Sequence, residues 1–365
     1  MTAVRPQAYR IAVIPGDNVG KEVTPEALKV LQSAADCTGV KLELTSFPWG
    51  ADHYLAFGSV MAPDGLERLA GYDAILFGAL GDPARVPDAT MSWGLVQKIR
   101  KAFDLSVNLR PARLFPGVRS AVAGLDALDL VIVRENTEGE YSGVGGRLHR
   151  GEENEVALQT SIFTRRATER VMRYAFELAR ARNLQKKVTS VTKSNAMNHS
   201  MVFWDELFAE VARSYPGIET EKFHVDAMTM YLIQRPQTFD VIVASNLFGD
   251  ILSDEAAAIQ GGIGLAASAN LNPGRRFPSM FEPIHGSAPD IAGRQQANPV
   301  AAILSAQLMF EHLGERATAE LIGHAVEQVL VDGTVRTRDL GGRASTVEMG
   351  TAITNAVERL ARDSG

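Results

Sequence analysis

Four times along the chain a short apolar run gives way to a longer segment of helical period. "RIAVIP" precedes "KEVTPEALKVLQSAA", "DAILFGA" precedes "SWGLVQKIRKAF", "KVTSVTK" precedes "SMVFWDELFAEVARSY", and "FDVIVASN" runs into "LFGDILSDEAAA". Strand-like and helix-like periods in alternation predict an α/β fold, because each helix must bury its apolar stripe against a sheet. The middle of the chain breaks this rhythm. "VNLRPARLF", "LDLVIVREN" and "NEVALQTSIFT" read as strands, with only turns expected between the last two, where "GEYSGVGG" is rich in glycine. A sheet with hairpin or arm elements is expected there. From about Pro299 the pattern is that of three amphipathic helices.

At 365 residues the chain is too long for one comfortable core, so two domains are expected, although no Pro/Ser-rich linker marks a cut. A formal net charge of −6, with no basic cluster longer than a pair or triple, lacks the footprint of a nucleic-acid partner. No apolar run reaches the ~18 residues of a membrane span, and the start "MTAVRPQAYR" has no leader-like apolar core. The single cysteine, Cys37, excludes an internal disulfide framework and a cysteine-rich metal site. A cytoplasmic protein with a small-molecule ligand is expected.

Charged groups fall at or just past the ends of strand-like runs: Arg134 after "LVIV", Lys193 after "VTSVT", and Asp250 one turn after "VIVAS". Ligands of open α/β sheets bind beyond the carboxyl ends of strands, so these groups are expected to share a cleft. Asp250 and Asp254 stand four apart on a helical segment, which sets two carboxylates ~6 Å apart on one face. They repel unless protons or a cation lie between them. Mg²⁺ or Mn²⁺ suits such an oxygen set, and Asp226 would suit as a third ligand without being demanded by spacing. A solvated helix face is the plain alternative, against which Leu247, Phe248, Ile251 and Leu252 leave the acids little polar face to share.

Arg100, Arg110 and Arg134 are carboxylate forks and suggest a di- or tricarboxylate ligand, though each alone reads more simply as a surface ion-pair residue. Tyr141, seven residues after Arg134, is a candidate proton donor or a packing residue. "VIPGDNVGKEV" spaces its glycines as G-x-x-x-G, so the dinucleotide fingerprint is absent, as is any phosphate-binding G-x-x-x-x-G-K-[ST]. An ordinary Rossmann fold is therefore not expected. The irregular stretch Phe281 to Pro299, "FEPIHGSAPDIAGRQQANP", is expensive to order unless it binds something, the alternative being an ordered connection.

Taken in order, "PGDNVGKEV", "NLRP", "VRENTEGEYSG", "VTSVTKSN", "SNLFGDILSD" and "FEPIHGSAPDIAGRQQANP" resemble the metal-dependent β-decarboxylating dehydrogenases across nearly the whole chain. That family includes isocitrate, isopropylmalate, homoisocitrate and tartrate/D-malate dehydrogenases, and the chain resembles the tartrate/D-malate branch most. The resemblance implies an isocitrate/isopropylmalate dehydrogenase-like α/β fold with a mixed sheet in two domains. Residues 1–105 and 261–365 would form a discontinuous cofactor-binding domain, and 106–260 the substrate, metal and dimerisation domain. By the same match Asp250 and Asp254 hold Mg²⁺ or Mn²⁺, with Asp226 supplied by the partner subunit of a homodimer that shares its active sites.

The resemblance also makes Arg100, Arg110 and Arg134 a carboxylate clamp, Tyr141 the acid and Lys193 the base. His285, Gly286, Ser287, Ala288, Asp290, Ile291 and Asn298 would meet the adenosine of NAD, with Asn195 near its nicotinamide. Asp290 and Ile291 stand where NADP enzymes carry Lys and Tyr, so NAD is expected over NADP. Gly94 and Val96 replace the Ser and Asn of isocitrate enzymes, and Trp93 would crowd a large substituent, which points to a C4 substrate. The implied reaction is oxidation, with or without decarboxylation, of a small 2-hydroxy dicarboxylic acid, tartrate or D-malate. 3-Isopropylmalate is the alternative substrate, and Mg²⁺-dependent phosphoryl transfer or a non-catalytic nucleotide-binding subunit are more distant readings. Asn18 departs from the glycine usual in the first loop. Asparagine tolerates left-handed backbone, so the turn is expected to survive.

Overall fold

The computed structural model describes residues 7–363; the first six residues, read above for a leader, lie outside them. The chain gathers into two compact units. One comprises Met1–Leu105, Leu114–Asp126 and Ala257–Gly365, the other Ser106–Arg113 and Ala127–Ala256. Leu114–Asp126 belongs with the first because its backbone and hydroxyls are tied there. Ser120 Oγ donates to the Ile259 carbonyl at 2.6 Å and Arg336 donates to the Gly117 carbonyl at 2.7 Å.

The first unit opens with β1 (Tyr9–Gly16), α1 (Gly20–Thr38), β2 (Leu42–Ser46), α2 (Ala51–Phe57), α3 (Gly65–Leu69), β3 (Ala74–Ala79), α4 (Asp88–Gly94) and α5 (Val96–Ala102). β3 is buried at all six positions, as a continuous apolar run in a central parallel strand requires. Between β1 and α1 the chain must turn hard against β3. Gly16 has φ 72°, and a Cβ there would lie 1.9 Å from the Ala79 carbonyl oxygen, so no other residue fits. Asn18 follows at φ 47°, and its Nδ2 donates to the Gly81 carbonyl at 2.9 Å. The turn therefore survives the loss of glycine, as expected.

The segment "SWGLVQKIRKAF" differs from expectation, being two helices rather than one. Leu95 breaks the ladder at φ −132°, ψ −75°. Its side chain is fully buried in a cluster with Phe77, Ile99 and Phe103, and the packing overrides a helical period that would carry on through it.

The second unit holds β4 (Val107–Arg113), β5 (Asp129–Glu135), β6 (Gly139–Leu148), β7 (Val156–Ile162), α6 (Arg165–Arg182), β8 (Lys187–Thr192), α7 (Ser200–Ala212), β9 (Glu219–His224), α8 (Val225–Gln234), β10 (Val241–Ala244) and most of α9 (Asn246–Ile259). Its sheet runs β4-β5-β10-β8-β9, with β4 antiparallel to β5 and the other neighbours parallel. Trp204, Phe176 and Leu207 fill the core beneath it, and the Trp204 indole N–H is satisfied by Ser190 Oγ at 3.0 Å. The glycine-rich "GEYSGVGG" is not a turn. It forms β6, which pairs antiparallel with β7 in a separate two-stranded hairpin. Val144, Leu148, Val156 and Leu158 lie exposed along this arm, in a hairpin that water alone supports poorly.

The chain returns to the first unit with β11 (Ala267–Leu271), β12 (Ser279–Pro283) and the three expected helices α10 (Val300–Leu313), α11 (Arg316–Asp332) and α12 (Thr346–Asp363). The sheet there runs β2-β1-β3-β12-β11, parallel except for β11. The sheet of each unit thus carries four parallel strands and one antiparallel strand, a mixed α/β arrangement. Among the described residues no helix is long and apolar enough to cross a membrane.

Candidate active site

The short strand β10 delivers the chain to the start of α9, whose second and third turns carry the acids. Ser245 Oγ and the Leu247 N–H both donate to the Glu140 carboxylate, at 2.9 and 3.0 Å, so the segment before Tyr141 caps this helix. Gly249 then allows a close approach of another chain segment to the helix. A Cβ at that position would sit 2.7 Å from Arg134 Cβ and Cγ, so glycine is what lets the fully buried Arg134 lie across the helix. Its guanidinium forks Asn246 Oδ1 through Nε and Nη2, at 3.1 and 2.7 Å, and donates to Asp250 through Nη1.

Asp250 gathers the site. Arg110 Nη1 lies 3.0 Å from Asp250 Oδ1 and also reaches Ser253 Oγ, while its Nε is held by Asn108. The Tyr141 hydroxyl donates to Asp250 Oδ2 at 3.2 Å, and the Arg134 guanidinium lies 5.5 Å from the Tyr141 ring centroid. Burial first and the Asp250 charge second push the Tyr141 hydroxyl above the usual phenol range, so it keeps its proton at neutral pH. Sequence reasoning singled out Asp250, Arg110, Arg134 and Tyr141, and the structure brings these four together. It missed Asn108, Glu140, Asn246, Gly249 and Ser253, which orient them. The polar residues flanking "FGD" in "SNLFGDILSD" were the available signal.

One expectation is overturned. The acids are not enclosed by Leu247, Phe248, Ile251 and Leu252. Asp250 keeps 36% of its side chain in solvent, Asp254 is exposed, and Ile251 is itself 49% exposed. The apolar residues split around the helix, with Leu252 buried inward and Ile251 left on the outer face with the acids. Partial desolvation, then the neighbouring Asp250, nevertheless holds the Asp254 carboxyl above the ordinary range against the pull of Arg110. Burial alone pushes the neighbouring Glu255 up to about 7.

Lys193, just past β8, forms a second cluster. Its Nζ lies 2.6 Å from Asp226 Oδ1 on the first turn of α8, and this hydrogen bond holds the Asp226 carboxyl below the usual range. Asp226 is not gathered with Asp250 and Asp254 in the chain. Among the described residues no group of three or more His, Cys, Asp or Glu side chains could hold a metal. The donor chemistry of Asp250 and Asp254 still suits a hard divalent cation, with two carboxylates on one face and no carboxylate or imidazole to complete the set.

In the first unit Arg100 lies in the last turn of α5, 7% exposed, with Nη2 on Glu282 at 2.8 Å and Nε enclosed without a partner. Trp93 is not a core residue. It is 44% exposed, with the Lys101 ammonium 4.5 Å from its ring centroid.

The loop after β12 closes over a cavity of about 240 Å³ lined by Val19, Ile263, Gly264, His285, Ala288, Ile291, Gln296, Ala297, Asn298, Arg338 and Asp339. His285 Nδ1 donates to the Gly286 carbonyl at 2.9 Å, which leaves Nε2 as an acceptor; that atom is enclosed and unpartnered. Enclosure also pulls the His285 pKa down, so the ring is neutral. A buried acceptor without a donor fits the edge of a bound ring or a hydroxyl. Asn298 spends both ends of its amide within the chain, on Asp339 and on the Val300 N–H. Ser287 gives its carbonyl to the Val19 N–H, and Gly286 is exposed. Asp290 is exposed and does not line the cavity, whereas Arg338 and Asp339, which the sequence reading passed over, do. Asn195 is exposed beyond β8.

The chain is 50% identical over 353 residues, 96% of its length and 99% of the other's, to a probable tartrate dehydrogenase/decarboxylase of Bacillus subtilis (strain 168). It is 48% identical over 361 residues, 97% of its length and 99% of the other's, to the decarboxylating D-malate dehydrogenase of Escherichia coli (strain K12). The crystal structure of isocitrate dehydrogenase from Methylococcus capsulatus superposes with a TM-score of 0.88 at 37% identity, covering 96% of this chain and 99% of that one. The profile of the isocitrate/isopropylmalate dehydrogenases matches residues 10–353, and with these folds, motifs and identities the chain belongs to that dehydrogenase family.

Proposed function

We propose that this dehydrogenase uses NAD and Mg²⁺ or Mn²⁺ to oxidise a small 2-hydroxy dicarboxylic acid, D-malate or tartrate, with or without loss of CO₂. The observation that carries the reading is the convergence of Arg110, Arg134 and Tyr141 on Asp250, one helical turn from Asp254. Two guanidiniums held in fixed forks suit a substrate carboxylate, and the names of the relatives at about half identity agree with that chemistry.

Asp250 and Asp254 would hold the metal, which when bound would supply Lewis-acid stabilisation of negative charge on the substrate's oxygens. Arg110 and Arg134 orient the carboxylates, and Arg100 joins them by its sequence match. Lys193 takes the proton of the C2 hydroxyl, and NAD, held with its nicotinamide near Asn195, would supply the hydride acceptor. Tyr141, protonated at neutral pH, returns a proton to C3 when CO₂ has left. The cavity behind His285 takes the adenosine, and the first unit, with Leu114–Asp126 added to the two ends of the chain, forms the cofactor-binding domain, the second being the substrate and metal domain.

The active form is a homodimer. Lys193 and Asp226 form one ion pair apart from the Asp250 cluster, so a partner subunit would bring base and third metal ligand together. The exposed arm of β6 and β7 supplies apolar surface for such an interface.

The test is nicotinamide absorbance with Mn²⁺ present, across D-malate, L- and meso-tartrate, 3-isopropylmalate and isocitrate. D-malate or a tartrate should give the highest kcat/KM. No reduction of NAD with any of the five would overturn the reading.

A further inference from the structure

We propose that Glu22 is a positioning residue for the dinucleotide. Its carboxylate, on the first turn of α1, holds the loop from His285 to Asn298 in the shape that turns His285, Ala288 and Ile291 toward the cavity. Glu22 is 9% exposed and spends both oxygens on loop backbone, Oε1 on the Gly293 N–H and Oε2 on the Gln295 N–H at 2.9 Å. These two amides belong to the most contorted part of the loop. Gly293 has φ 77° and Gln295 φ 54°, the second a conformation that a residue with a Cβ rarely takes. The rest of Gln295 is fixed as well, since its carbonyl accepts from the Thr346 N–H at 3.0 Å.

Strain of this sort persists only where the surroundings hold it, and here the holder is a buried anion at a helix N-terminus, where the helix dipole favours negative charge. The start of α1 touches the loop twice. Besides Glu22, the Val19 N–H donates to the Ser287 carbonyl at 3.0 Å, and Val19 itself lines the cavity. Ala288, at φ 40°, lies between these two anchors, so its place on the cavity wall depends on both. Glu22 touches neither cavity nor ligand and acts through the loop alone.

This inference rests on reading the cavity as the adenosine site. The experiment compares Glu22→Gln and Glu22→Asp with the parent enzyme in thermal midpoint, calorimetric binding of NAD and of ADP-ribose, steady-state kinetics, and limited trypsin cleavage after Arg294, which is exposed in the loop. Glutamine faces one loop N–H with an amide N–H₂, donor against donor. It should speed cleavage at Arg294 and weaken NAD and ADP-ribose about tenfold or more, in line with hydrogen bonds to a charged group. KM for NAD should rise by the same factor while kcat changes little, and aspartate should restore part of the loss. If the glutamine variant fails to fold, aspartate carries the same comparisons.

Unchanged cleavage at Arg294 would show that Glu22 does not hold the loop. Faster cleavage with unchanged ADP-ribose binding would show that the loop does not position the cofactor, and either result overturns the proposal. A parent enzyme that binds neither NAD nor ADP-ribose would overturn the adenosine reading itself, while the cleavage rates would still judge the clamp.

Discussion

Around the loop from His285 to Asn298 the turns are tied within one compact unit, by Val19, Glu22 and Thr346, whereas on α9 Asp250 draws two arginines and a tyrosine onto a face that stays partly open. The first region is held by backbone hydrogen bonds and needs few charges. The second is held by charges, and Asp226, proposed as its third carboxylate, stands elsewhere with Lys193. Met230 and Ile233 on α8 and Ile251 on α9 are also exposed in this unit. A self-contained loop can present a finished cavity from one chain, whereas the Lys193–Asp226 pair and the Asp250 cluster come together only in the proposed homodimer.

The largest effect is expected at the proposed metal site. Asp250→Asn should lower activity by roughly a thousandfold or more, the worth of several kcal/mol of transition-state charge stabilisation. Asp226→Asn and Lys193→Met should be comparably inactive. When either is mixed and subunit-exchanged with Asp250→Asn, hybrid dimers should regain a fraction of the parent rate. Sedimentation must confirm the exchange, and exchanged but dead hybrids would place the whole site in one chain.

Cofactor choice tests the loop after β12. Exposed Asp290 should favour ribose hydroxyls and repel a 2′-phosphate, but Arg338 on the cavity wall carries the opposite charge. Asp290→Lys with Ile291→Tyr is expected to shift kcat/KM toward NADP by about tenfold or more, from ~1–4 kcal/mol of screened Coulomb energy. Arg338→Ala should raise the parent preference for NAD. Equal use of both cofactors by the parent enzyme would remove the role given to Asp290.

Substrate size should depend on the broken helix. Exposed Trp93 at the end of α4 is free of the core and so available to limit a substituent. D-malate should exceed 3-isopropylmalate in kcat/KM by about tenfold, or ~1.4 kcal/mol. Trp93→Ala should narrow the gap without changing the thermal midpoint much.

The smallest effect concerns Glu255, beside the aspartates. In the folded protein burial raises its pKa from the ordinary 4.5 to about 7. The folded state therefore binds a proton more tightly than the unfolded one. The resulting stabilisation is full below the unfolded value and is lost as pH rises to about 7. The thermal midpoint of the metal-free enzyme should fall by a few degrees across that window, and Glu255→Gln should flatten the slope. A slope unchanged by the substitution would assign it to another group.

Alternation of apolar runs and helical periods determined the α/β class, and it did so because periods of 2 and 3.6 are local properties that any stretch of chain carries with it. The candidate acids were legible for the same reason, since i,i+4 spacing on α9 needs only the helix. The three closing helices and the left-handed turn at Asn18 followed likewise from neighbouring residues. What the tertiary structure decided lies at long range. Arg134 and Asp250 are 116 positions apart, and only the packing permitted by Gly249 brings them into contact. Leu95 leaves its helix because the core of its unit has a place for it, and "GEYSGVGG" becomes a strand because β7 offers it hydrogen bonds. Exposure of the acids was decided there as well, because a helix written out as sequence shows which residues share a face, while the neighbours packed on each face determine which one meets water.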